Sequence, residues 1–163
     1  MKRFGLSKVV WLVSPGNPLK RHAPATLKRR MEACAEIAQD PRILVSDFEA
    51  KAGTTYTADT LAALQKAHPK ANFIWLMGAD NLISFHHWQD WRSIFERMPV
   101  GVLARPGYRL AARCSKAARI YDSARVHETA ARGLAADAAP AWAFANMPMH
   151  GASSTDIRSN GEW

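Results

Sequence analysis

Asn72-Phe73-Ile74-Trp75-Leu76-Met77-Gly78-Ala79-Asp80-Asn81 decides the fold. From Phe73 to Met77 the run is apolar without alternation, as a parallel strand covered on both faces requires, and it stops at a glycine followed by polar groups. On either side the same grammar continues. Upstream, Lys8-Val9-Val10-Trp11-Leu12-Val13 reads as a buried strand running into the rigid loop Ser14-Pro15-Gly16-Asn17-Pro18-Leu19-Lys20. From Ala25, the spacing of Leu27, Met31, Cys34 and Ala38 predicts an amphipathic helix with Cys34 facing the core. Arg42-Ile43-Leu44-Val45-Ser46 is a second strand, and Thr57, read as an N-cap, opens a helix through Leu61 and Leu64.

Downstream, Trp88, Trp91 and Phe95 fall on one side of a further helix, and Val100-Gly101-Val102-Leu103-Ala104 forms a strand ending at the Arg105-Pro106-Gly107 turn. Residues 109 to 134 are rich in Ala and Arg and read as helix-prone. Trp142-Ala143-Phe144 closes the strand set, and Ser153-Ser154-Thr155 caps a final helix. Strands alternating with helices over short connections predict an α/β fold with a mainly parallel sheet, in one domain over residues 1–163. Ligands of such folds gather at the carboxyl ends of the strands.

Composition narrows the function. No apolar run of about eighteen residues spans a bilayer, and the start lacks the apolar stretch and cleavage site of a signal peptide, so a soluble, cytoplasmic protein with no membrane partner is expected. Cys34 and Cys114 lack metal-type spacing. His86-His87 is adjacent rather than at the helical spacing that places two imidazoles on one face, so no metal site is expected. Twenty-two Lys and Arg against fourteen Asp and Glu give +8, which suits polyanions such as nucleotides. The basic residues are dispersed and not interleaved with aromatics, which argues against a nucleic-acid partner. A homo-oligomer is compatible with this composition.

Three groups can meet a nucleotide. In Gly151-Ala152-Ser153-Ser154-Thr155-Asp156-Ile157-Arg158, hydroxyls and free N–H groups at a helix start converge with a guanidinium one turn on, which suits a phosphate; a plain Ser-capped terminal helix has the same pattern. Gly78 lets a ligand approach the backbone while Asp80 accepts hydrogen bonds from ribose hydroxyls or an amide, although Asp80 as an ordinary N-cap is equally compatible. Lys20 ends a rigid loop and can neutralise a phosphate, as can any surface lysine. No nucleophile-base-acid set and no Gly-rich Lys-Ser/Thr phosphate loop is recognisable.

Taken in order, Trp11 to Lys20, Tyr56-Thr57-Ala58-Asp59-Thr60-Leu61, Gly78 to Leu82 with Trp88, Arg105-Pro106-Gly107 and Ser153 to Arg158 resemble the bacterial nicotinate mononucleotide adenylyltransferases. The resemblance covers nearly the whole chain. It implies a Rossmann-like nucleotidyltransferase fold that joins ATP, as substrate, to nicotinate mononucleotide, giving deamido-NAD and pyrophosphate, with magnesium carried on the triphosphate. By the resemblance, Ser153, Ser154, Thr155 and Arg158 hold the ATP phosphates, and Gly78 with Asp80 lines the nucleotide site. Lys20, with Asn17 in the same loop, meets the mononucleotide phosphate; Thr57 and Trp88 recognise the nicotinate moiety, and Arg105 helps bind nucleotide. Gln89 follows Trp88 where some relatives carry an aromatic. Two other readings are a different acceptor on the same fold, such as nicotinamide mononucleotide or phosphopantetheine, and a non-catalytic nucleotide- or RNA-binding protein.

The resemblance also implies a first strand, a Gly-rich turn and a His-x-Gly-His motif opening the first helix, and the sequence contains none of them, so no catalytic residue is assigned. Met1-Lys2-Arg3-Phe4-Gly5-Leu6 reads instead as the tail of that helix, with Gly5 as its C-cap. The expectation is that Met1 is internal to a longer natural product, that the sheet has unpaired edges, and that the chain alone is inactive. Intact mass tests this: the endogenous protein should be heavier than the 163-residue chain, and a match would overturn the expectation.

Overall fold

The computed structural model describes residues 1–16 and 25–147. Lys2–Phe4 forms a single 3-10 turn closed by Gly5 at φ 61, the left-handed value that glycine adopts without strain, as expected of a C-cap. The chain then enters β1 (Val9–Leu12), α1 (Leu27–Ile37) and β2 (Ile43–Ser46), followed by α2 (Phe48–Ala52) and α3 (Thr57–Ala67). After β3 (Trp75–Gly78) come α4 (Ala79–Ser84), α5 (Trp91–Arg97) and β4 (Val100–Leu103). The remainder is α6 (Arg109–Arg113), α7 (Lys116–Ile120), β5 (Arg125–Val126), a 3-10 stretch Glu128–Ala136 and β6 (Trp142–Ala145).

Every strand pair is parallel. The strands form a four-stranded sheet ordered β3-β4-β6-β5 and a separate pair β1-β2. Among the described residues, β1, β2, β3 and β5 each have one edge without a strand neighbour.

The continuous apolar runs have a simple cause. Alternate residues of a strand point to opposite faces, and here each face has its own core. Trp75, Met77, Val100, Val102, Trp142 and Phe144 belong to one cluster with Leu82, Phe85, Ile94 and Phe95 from the helices. Ile74, Leu76, Leu103, Ala143 and Ala145 belong to a second, with Phe4, Ala131 and Leu134. Gly101 makes room for the second cluster: a Cβ there would sit 2.6 Å from Leu76 Cδ2 and 3.0 Å from Phe4 Cζ. Hydrogen of glycine at this point lets the Phe4 ring lie on β4.

The β1-β2 pair is less well covered. Val10 and Leu44, partners in register, are 40% and 42% exposed. No residue of α1 is fully buried, and Cys34 is only half-buried, which corrects the expectation of a core-facing thiol.

Three further expectations change. Thr57 is the first helical residue of α3 and Tyr56 holds the cap position without a side-chain bond. Trp88 is not on a helix with Trp91 and Phe95: a 3-10 turn, Phe85–His87, precedes it and α5 starts at Trp91. The aromatics still converge, with Phe85 centroids 5.1 Å from Trp88, 6.1 Å from Trp91 and 5.6 Å from Phe95. The helix-prone stretch 109–134 breaks into α6, α7, β5 and 3-10 turns. Ser115 restarts the chain as the N-cap of α7, accepting from Ala118 N, and Arg125–Val126 gains more by pairing with β6 than helix propensity offers. β6, the last strand in sequence among the described residues as expected, lies between β4 and β5, with all four residues buried.

Candidate active site

Parallel strands bring their carboxyl ends to one side of a sheet, and Gly78, Asp80 and Arg105 collect there. β3 ends on Gly78, which caps α4 in extended backbone, so Asp80 falls in the first turn of α4 rather than at the cap. There its carboxylate also complements the positive helix end. β4 pairs with β3 through Gly78↔Leu103, placing Arg105 two residues beyond the matching strand end. The guanidinium Nε of Arg105 lies 3.2 Å from Asp80 Oδ1. This is an ion pair without hydrogen-bond alignment, and Asp80 Oδ1 is buried with no hydrogen-bond donor among the described residues. The Arg105 charge offsets the burial of that oxygen, while the rest of the Asp80 side chain stays partly exposed.

Gly78 is what allows this arrangement. A Cβ on it would overlap Asp80 Oδ1 and come within 2.9 Å of Arg105 Nε. Any larger residue would displace the pair.

Thr57 and Trp88 flank the same core. Ala58, Met77, Ala79 and Phe85 are members of one buried cluster, with Trp88 and Ala104 packed against it. Among the described residues, no hydrogen bond or ion pair joins Thr57 or Trp88 to Gly78, Asp80 or Arg105. Thr57 and Trp88 are each half-buried. Asn17, Lys20, Ser153, Ser154, Thr155 and Arg158 lie outside the described residues.

Two features at the strand ends have no motif in the sequence. Beyond β6, Asn146 N and Nδ2 donate to Glu128 Oε1 and Oε2 at 2.8 and 2.6 Å, fixing the chain where it leaves the sheet. The two bonds and the nearby Arg3 outweigh burial and hold the Glu128 carboxyl below its ordinary range. Beyond β1, Ser14 Oγ donates to Glu49 Oε1 at 2.9 Å, and Glu49 is only 9% exposed. A lone acid in a five-residue helix gives no sequence signal of burial; only the parallel pairing of β1 with β2 brings it to Ser14.

Gly78, Asp80 and Arg105 thus meet where β3 and β4 end. Residues 1–160 match the cytidylyltransferase-like family model. Proteins named "probable nicotinate-nucleotide adenylyltransferase" from Ruegeria sp. TM1040 and Cereibacter sphaeroides ATCC 17023 are 53% and 55% identical over 163 residues, all of this chain and 86% of each relative. That from Agrobacterium fabrum C58 is 46% identical over 161 residues. The chain belongs to the nicotinate-nucleotide adenylyltransferase family. Its fold is also that of the Plasmodium falciparum nicotinic acid mononucleotide adenylyltransferase complexed with NaAD, at TM-score 0.65 and 14% identity over 94% of this chain and 69% of the parasite chain.

Proposed function

We propose that the chain transfers the adenylyl group of ATP to nicotinate mononucleotide, releasing deamido-NAD and pyrophosphate. The observation that carries this reading is the Gly78-Asp80-Arg105 arrangement at adjoining strand ends, in a chain of this family. The exposed part of the Asp80 carboxylate accepts a hydroxyl of the nucleotide, Gly78 admits its backbone approach, and Arg105 balances charge. Thr57 and Trp88 face the nicotinate moiety, Asn17 and Lys20 the mononucleotide phosphate, and Ser153, Ser154, Thr155 and Arg158 the ATP phosphates.

The reaction needs little acid-base work. An oxygen of the mononucleotide phosphate attacks the α-phosphorus of ATP, a P–O bond forms, and the bond to the β-phosphate oxygen breaks with its electron pair leaving on pyrophosphate. Both reactants are anions, so stabilising the charge that spreads over the transferred group and holding the two in line supply most of the rate. Magnesium arrives on the triphosphate as part of that substrate. A cytoplasmic site suits an ATP-consuming reaction, and no helix among the described residues is long and apolar enough to cross a membrane.

Acceptor choice tests the reading. Pyrophosphate release is expected with nicotinate mononucleotide and not with phosphopantetheine; the reverse preference would replace it with another transferase. Steeply salt-dependent RNA binding without ATP binding would point to a non-catalytic protein.

A further inference from the structure

α3 begins without the side-chain cap that ordinarily fixes a helix start: Tyr56 holds the cap position in extended backbone and makes no such bond. The turn leading into the helix is held from inside instead. Thr60, 1% exposed among the buried Ala58, Leu61 and Leu64 of the same helix, donates its hydroxyl to Tyr56 O at 3.1 Å. That uses the single proton of Thr60 Oγ1, so in its 2.8 Å contact with Thr54 Oγ1 the Thr54 hydroxyl donates and Thr60 accepts. One buried oxygen therefore ties both ends of the turn Thr54-Thr55-Tyr56, and Thr57 follows as the first residue of α3.

The start of that turn is anchored through its backbone as well. α2 closes on Gly53 at φ 65, and Thr54 N donates to Glu49 O at 3.2 Å, the bond that seals a helix end. Thr55 and Tyr56 are exposed, so packing does not set their path. A hydroxyl buried among apolar side chains is also a costly way to fill space, since valine has nearly the same shape and no polar group to satisfy.

We propose that Thr60 is a positioning residue for the acceptor mononucleotide: its hydroxyl sets the path of the Thr54-Tyr56 turn and so the place of Thr57 at the start of α3. This rests on the functional reading above, which gives Thr57 to the nicotinate moiety and the β3-β4 end to the other nucleotide. The Thr60 bonds do not reach Gly78, Asp80 or Arg105, so their loss is felt by one substrate and not the other.

The test is calorimetric binding of nicotinate mononucleotide and, separately, of ATP to the full chain and to Thr60→Val, Thr54→Val, their double variant and Thr60→Ser, with urea melts on the same samples. Thr60→Val keeps the volume and removes the bonds; it should weaken mononucleotide binding about three- to tenfold, the scale of one or two neutral hydrogen bonds, while ATP binding changes less than about twofold. Thr54→Val should act in the same direction, and because it removes a bond already lost in Thr60→Val, the double variant should be no weaker than the worse single one. Thr60→Ser keeps the hydroxyl but leaves a methyl-sized void, so it should lower stability while binding the mononucleotide within about twofold of the unmodified chain. Affinity that follows the hydroxyl and not the stability supports the positioning role. Equal weakening toward both ligands, affinity that falls in step with stability across the set, or unchanged mononucleotide binding in Thr60→Val would each overturn the proposal and leave the functional reading intact. An unmodified, folded chain that does not bind nicotinate mononucleotide would overturn the functional reading and the proposal with it. Should Thr60→Val fail to fold, Thr54→Val, at a half-buried position, decides the matter by the same split.

Discussion

Replacing Gly78 with alanine is expected to weaken ATP binding by about tenfold to a hundredfold with the fold retained. The added Cβ overlaps Asp80 Oδ1 and sits 2.9 Å from Arg105 Nε. Arg105 is long and 44% exposed at its side chain, so it can swing away; Asp80, anchored in the first turn of α4, can move only by leaving the position in which the proposed function needs it. Overpacking of this kind costs about 1–3 kcal/mol, which the site rather than the core has to absorb. Arg105→Ala is the control. It removes the ion pair without adding volume, and because the pair is partly exposed its loss should change stability by about 1 kcal/mol or less while still lowering nucleotide affinity. Binding titrations with urea melts on the same samples separate the two. Equal ATP affinity in Gly78→Ala and the unmodified chain would remove this strand end from the nucleotide site.

Trp142→Ala should destabilise the chain by about 3–5 kcal/mol, enough to unfold a marginal domain. The ring is 1% exposed in the strand between β4 and β5, and its Nε1 donates to Tyr121 O at 2.7 Å. Tyr121 in turn stacks on Phe95 with centroids 4.4 Å apart, so the ring supports the helical layer as well as the sheet. Trp142→Phe fills most of the volume but leaves Tyr121 O without its donor, and should cost about 1–3 kcal/mol. A Phe variant as unstable as the Ala variant would show that the hydrogen bond, not the filled volume, dominates.

The legible parts of this fold are those where one physical requirement acts alone. β3, β4 and β6 could be read from sequence because burial on two faces leaves no polar position in the run. The stretch 109–134 could not, because helix propensity competes there with a strand pairing to β6 that is formed by residues about seventeen positions away. In the site, Gly78, Asp80 and Arg105 could be picked out singly; that Arg105 pairs with Asp80, and that Gly78 is small for their sake, follows only from the register of β3 on β4. Trp88 was placed on the wrong element yet among the right neighbours, since an aromatic cluster survives a broken helix. Glu49 was invisible because its partner Ser14 is 35 residues away and nothing local marks it as buried.

The central claim is adenylyl transfer to nicotinate mononucleotide. The most direct measurement is ATP-dependent pyrophosphate release with that acceptor, with deamido-NAD quantified in the same samples. Pyrophosphate and deamido-NAD appearing in equal amounts, and not with phosphopantetheine, is the predicted result. Silence from the protein, shown to be folded, would contradict it.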